Sequence, residues 1–176
     1  MPYAVTHILI ALIVADVIRD YVVKNKKKFT LHYVLIAGIA GLLPDADTII
    51  YWILNMLYNV PSSLVHRLYS HNLFIVFIFL ILGFLTIKVK NRFLSKHKLK
   101  LSMIFYMIAL GYFVHLVLDY FLSGKIMPLF PFSTLKIGLE LTAGKLGDSI
   151  LQGIDAILLV LWLVHEEIKH RISDFI

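Results

Sequence analysis

In the stretch GYFVHLVLDY, His115 and Asp119 stand four residues apart, so a helix carries imidazole and carboxylate on one face, about 6 Å apart. Such a pair can hold a divalent cation: nitrogen and oxygen donors suit zinc first, with manganese or iron as alternatives. The chain has no cysteine, so a metal must be taken by His, Asp and Glu, and disulfides are excluded. A second pair, Asp45 and Asp47, follows Pro44 inside LIAGIAGLLPDADTIIYWIL. Carboxylates in so apolar a run are costly unless they have a partner or a task. A proline there breaks the helix, and a cation held by the carboxylates helps to compensate the exposed backbone groups. Each residue also has a plainer reading. His115 could be a hydrogen-bonded packing residue, Asp45 and Asp119 could cap helix ends, and Arg67 could pair with one of the aspartates without a metal.

The elements that must position these groups follow from hydropathy. The 176 residues are 60% hydrophobic and 16% charged, with mean hydropathy +0.85, far from the roughly 25% charge of soluble domains. About five apolar segments run from Tyr3 to Val23, Leu31 to Tyr58, Leu73 to Val89, Leu101 to Ser123 and Ile150 to His165. Several approach the roughly 20 residues that cross a bilayer. The expected fold is all-α, a polytopic membrane helical bundle forming one domain over residues 1–176, with its second helix broken at Pro44. The first segment lacks the basic start and small-residue cleavage site of a signal peptide. Segment three carries no ionisable side chain and reads as lipid- or helix-facing, packing outside the other four, which are expected to enclose the polar groups. The Gly- and Pro-rich stretch from Ser123 to Asp148 reads as a re-entrant loop or lid, with a short interfacial helix over STLKIGLELTAGKLGD.

The net charge of +6 does not point to nucleic acid, because the basic residues gather between apolar runs. Lys24, Lys26, Lys27, Lys28, Lys88, Lys90, Arg92, Lys96, Lys98, Lys100, Lys169 and Arg171 fall on one side if every segment crosses once. Only Arg67, Lys125, Lys136 and Lys145 fall on the other. This asymmetry predicts a multi-pass protein of the cell membrane with its N-terminus outside and its C-terminus inside. His7, Asp45, Asp47, His66, His71, His115 and Asp119 then share the outer half of the bilayer. His32, His97 and His170 lie near the inner lysines as ordinary interfacial residues. Asp16 is expected to pair with Arg19 at helical spacing, and Asp155 to join the site from the outer side.

The ordered motifs THILIA, GLLPDADTI, HRLYSHN and HLVLDYFLSGKIMPLFPFS resemble the YdjM-type membrane-bound metal-dependent hydrolases. The likeness runs to Ser133, with Asn72 standing where the pattern more often has Ser. It implies a metal set of His7, Asp45, Asp47, His66, His71, His115 and Asp119, and matches Arg67, Ser70 and Pro131-Phe132-Ser133 as well. It also implies hydrolysis. Seven donors exceed what one open tetrahedral site needs, so one or two ions are expected, with a carboxylate bridging in the second case. Arg67, Asp45 and His71 are the candidate catalytic groups, Arg67 by bidentate contact with a phosphate. The expected substrate is a phosphoester or lipid-like amphiphile reached from the membrane. A proton- or cation-coupled transporter, or a metal-binding protein without activity, is the alternative: a pathway needs ionisable residues in both halves of the membrane.

Overall fold

The structure, a computed structural model, describes residues 4–23, 29–59, 69–139, 141 and 145–170. Regular structure among them is helical apart from one antiparallel bridge between Ile126 and Ile137. Helix α1 (Ala4–Val17) passes into a π turn at Ile18–Val23, and α2 (Leu31–Ala40) leads through a 3-10 turn at Pro44–Ala46 into α3 (Asp47–Tyr58). Helices α4 (Leu73–Leu85), α5 (Arg92–Lys96) and α6 (Leu101–Leu118) follow, α6 ending in a second π turn at Asp119–Ser123, and α7 (Lys145–His170) completes the chain. Each of the apolar segments is therefore helical. Among the described residues, Leu101–Leu122 alone is a single helix long and apolar enough to cross a membrane. Leu31–Ala40 and Pro44–Tyr58 pass the same test together, across a 46° bend.

That bend sits where Pro44 removes a backbone donor and ends the ladder of α2. Beyond it α3 exposes Ile49, Ile50, Trp52, Ile53, Met56 and Leu57, an apolar surface that suits lipid rather than water.

Helices α1, α2 and α6 form the centre. Leu9, Leu12, Ala15, Tyr33, Val34, Ala37 and Met107 bury one another there, and small residues let the backbones close up. A Cβ on Gly111 would lie 2.1 Å from the Ala37 carbonyl, and one on Gly41 would lie 2.8 Å from the His7 carbonyl. The same contacts that seal the core thus bring the polar ends of three helices together. Tyr33 also accepts from the Lys100 N–H at 2.6 Å, satisfying a backbone donor at the start of α6. Helix α4 packs on α6 through Val76, Ala109, Tyr112 and Leu116 and turns Phe77, Ile78, Leu80, Ile81, Phe84 and Leu85 outward. Asn72 caps α4, its side-chain oxygen accepting from the Ile75 N–H at 3.2 Å.

Two expectations change. Helix α7 does not close around the polar groups; it lies along α1. Thr6 meets Asp155, Asp16 meets His165 and Asp20 meets Lys169, so the two helices run in the same direction. Over Ser133 to Leu139 the chain is extended rather than helical. Its N–H groups serve the end of α6: Leu139 donates to the Tyr120 carbonyl at 2.8 Å and Leu141 to the Phe121 carbonyl at 3.0 Å. Carbonyls left over at a helix end need such donors, and here they recruit the strand-like segment in place of a helix.

Candidate metal centre

Four elements deliver the centre. Helix α1 brings His7, the break after α2 brings Asp45 and Asp47, the turn before α4 brings Ser70 and His71, and the end of α6 brings His115 and Asp119. His7, His71, His115 and Asp119 are each at most 2% exposed. His66 and Arg67 lie outside the described residues.

The hydrogen-bond network fixes which imidazole nitrogens carry protons. His115 Nδ1 lies 2.7 Å from the Gly41 carbonyl, and a carbonyl can only accept, so Nδ1 bears the hydrogen. Pro44, three residues after Gly41, has no N–H to compete for that oxygen. His71 Nδ1 lies 2.8 Å from the Ser70 hydroxyl, whose own hydrogen goes to Asp47 Oδ2, so this Nδ1 also donates. Tyr112 in turn donates to the Ser70 carbonyl and holds the turn against α6.

With both Nδ1 atoms protonated, the two rings turn their Nε2 atoms toward a common point. These Nε2 atoms are 3.2 Å apart. Asp119 Oδ2 is 3.1 Å from the one on His71 and 3.6 Å from the one on His115. Asp45 Oδ1 lies 3.5 Å from His71 Nε2 and 3.7 Å from His115 Nε2. Four electron-rich atoms at these spacings repel unless protons or a metal ion stand among them. Donors about 2.0–2.1 Å from a tetrahedral ion sit roughly 3.3 Å from one another, close to the observed edges, so the residues fit a metal by chemistry and by spacing.

Two donor groups share one residue: His71, His115 and Asp119 form one, and His7, Asp45 and His115 the other, each with its ligand atoms within 4.8 Å of one another. With Nδ1 on Gly41, His115 has a single lone pair and can serve one ion at a time. His7 stacks on His115 with ring centroids 4.0 Å apart, and its Nε2 lies 3.5 Å from Asp119 Oδ1.

Asp47 enters neither group. Its carboxylate receives the Ser70 hydroxyl and stands 3.8 Å from His71 Nδ1, where it orients a ligand from behind. Neither Asp45 nor Asp119 is a simple cap: no side-chain cap bond forms at the start of α3, and Asp119 opens the π turn with its carboxylate toward three imidazoles. Asp155 accepts from the Thr6 hydroxyl at 2.9 Å and stays outside both donor groups. Sequence reasoning matched Ser70 to a motif without giving it a role; its place beside His71 was the available signal.

The profile of the YdjM inner membrane protein family matches residues 1–171. The chain belongs to the YdjM inner membrane protein family. Membership fits the apolar exterior of α3 and α4. Neither a curated protein nor a solved structure shows significant similarity to this YdjM family member.

Proposed function

We propose that this protein is a membrane-embedded, metal-dependent hydrolase. The observation that carries the reading is the pair of Nε2 atoms, 3.2 Å apart, turned toward the Asp45 and Asp119 carboxylates. His71, His115 and Asp119 would hold one divalent ion, zinc first, with Asp45 completing or bridging the set; His7 and His66 would serve a second. A divalent metal bound there supplies Lewis-acid polarisation of a phosphoryl or acyl oxygen and a water of lowered pKa.

The chain's own groups do the rest. Ser70 and Asp47 hold His71 in one tautomer, and the Gly41 carbonyl does the same for His115. Asp45, with a 12% exposed side chain, is the carboxylate best placed to accept a proton at the reacting face. Arg67, beside His66 in sequence, would clamp a phosphate bidentately. The apolar surface of α3 adjoins the site, which favours a lipid-like phosphoester approaching through the membrane.

The parallel course of α1 and α7 is compatible with an odd number of crossings, and the lysine asymmetry supports a reading with the N-terminus outside, the C-terminus inside and the site in the outer half of the bilayer. A cation pathway would need polar groups continuing inward from the site. Between His7 and Asp16, α1 instead buries Leu9, Ala11, Leu12 and Ala15.

Metal content of the detergent-purified protein tests the proposal. An Asp45→Ala/His115→Ala variant that still folds and carries one or two equivalents of zinc, manganese or iron fewer than the unsubstituted protein would support it and direct a screen of phosphoester and lipid substrates. No bound metal after loading with each ion at about pH 7.5 would sink it.

A further inference from the structure

At the other end of α1 lies a second buried cluster that the site does not use. Asp16 and Asp20 come from α1 and its π turn, and His165, Glu166 and Lys169 from α7. Nine residues separate His7 from Asp16, about 14 Å along a helix, so the two clusters are distinct. Ligand atoms of Asp16, Asp20 and His165 lie within 4.8 Å of one another. His165 Nε2 stands 3.2 Å from Asp20 Oδ2 and 3.6 Å from Asp16 Oδ2.

We propose that Asp16, Asp20 and His165 form a second, exchangeable divalent-cation site, which a metal with nitrogen and oxygen donors fills by displacing the Lys169 ammonium.

Three features carry this. Arg19 is fixed: it is 3% exposed, lies 2.6 Å from Asp16 and pairs with Glu166. Lys169 is not: its side chain is 36% exposed while its Nζ sits 2.9 Å from Asp20, and it already has a second perch, 4.5 Å above the Tyr21 ring.

Charge points the same way. Among the described residues the cluster sets three carboxylates, Asp16, Asp20 and Glu166, against the two permanent cations Arg19 and Lys169. Glu166 is 1% exposed and, among the described residues, its Oε2 is buried without a hydrogen-bond partner. Exchanging the Lys169 ammonium for a divalent ion would add one positive charge beside these carboxyl groups. The local backbone is also unusual. Helix α1 widens into a π turn at Ile18, two residues after Asp16 and spanning Asp20, as α6 does at Asp119, and such turns gather at functional positions. His165, with a 38% exposed side chain, leaves the site open to exchange.

Manganese titration of the chelator-stripped, full-length protein in detergent, followed by electron paramagnetic resonance, tests the assignment. The titration uses the Asp45→Ala/His115→Ala background, so that loss of the outer site does not affect the reading. One equivalent of bound manganese is expected there, and adding His165→Ala should weaken it by more than about tenfold. Lys169→Ala should tighten it by about two- to fivefold, the worth of one half-exposed ion pair. Should the background variant fail to fold, the His165→Ala single variant should bind one equivalent fewer than the unsubstituted protein. Absence of manganese in a folded background variant, binding indifferent to His165→Ala, or weaker binding after Lys169→Ala would overturn the proposal and leave an ionic lock between α1 and α7.

Discussion

Ser70 stands between His71 and Asp47: its hydroxyl accepts from His71 Nδ1 at 2.8 Å and donates to the Asp47 carboxylate. The two carboxylates of the P-D-A-D stretch thereby divide their work. Asp45 faces the histidine Nε2 atoms, and Asp47 steers one of those rings from behind.

Removing the Ser70 hydroxyl should therefore loosen the metal without removing a donor. Ser70→Ala is expected to weaken metal affinity by about 10–100-fold, read by competition with a chromophoric chelator, while Ser70→Thr retains most of it. Unchanged affinity in Ser70→Ala would show that His71 is oriented by something else.

At the opposite end of α1, Arg19 pairs with both Asp16 and Glu166. Deleting a partner from a buried ion pair leaves uncompensated charge, so Arg19→Ala should cost about 3–5 kcal/mol of stability. The measurement is thermal unfolding in detergent, where a loss within about 0.5 kcal/mol, typical of a surface change, would contradict the packing described.

Backbone contact between α2 and α6 can be probed at Gly111. Its missing Cβ would lie 2.1 Å from the Ala37 carbonyl, and overpacking of this kind costs about 1–3 kcal/mol. Gly111→Ala should lower Tm and weaken metal binding together, since α6 carries both His115 and Asp119. Gly153, where a Cβ meets nothing within 4 Å, is the matched control: alanine there should leave Tm unchanged or raise it.

Much of this arrangement was legible in the sequence, and the reasons are specific. Pro44 marks the break, because no other residue removes a donor from a helix so directly. The i to i+4 pair His115 and Asp119 and the i to i+3 pair Asp16 and Arg19 are local, so helical periodicity alone brings them together. What pairs across the chain was not legible. Nothing in the spacing of Glu166 and Lys169 says that α7 lies parallel to α1, so the inner cluster showed only as a lone Asp16–Arg19 pair. In the extended run at 133–139, the strict alternation of Leu135, Ile137 and Leu139 with Lys136 and Gly138 is a strand signal, but its partners, the Tyr120 and Phe121 carbonyls, exist only once α6 has ended in a π turn. Asp47 looked equivalent to Asp45 until Ser70 was placed beside it.

The bond from His115 to the Gly41 carbonyl spans 74 residues, and it has a consequence for biogenesis. Helices enter a bilayer before they associate, and α2 and α6 are inserted separately. Until they dock, His115 has no Gly41 oxygen to choose its tautomer, and Asp45, on the far side of the break, has no imidazole to face. The cofactor-competent centre is thus a product of tertiary assembly. On the metal-centre reading proposed above, metallation would follow the docking of α2 and α6.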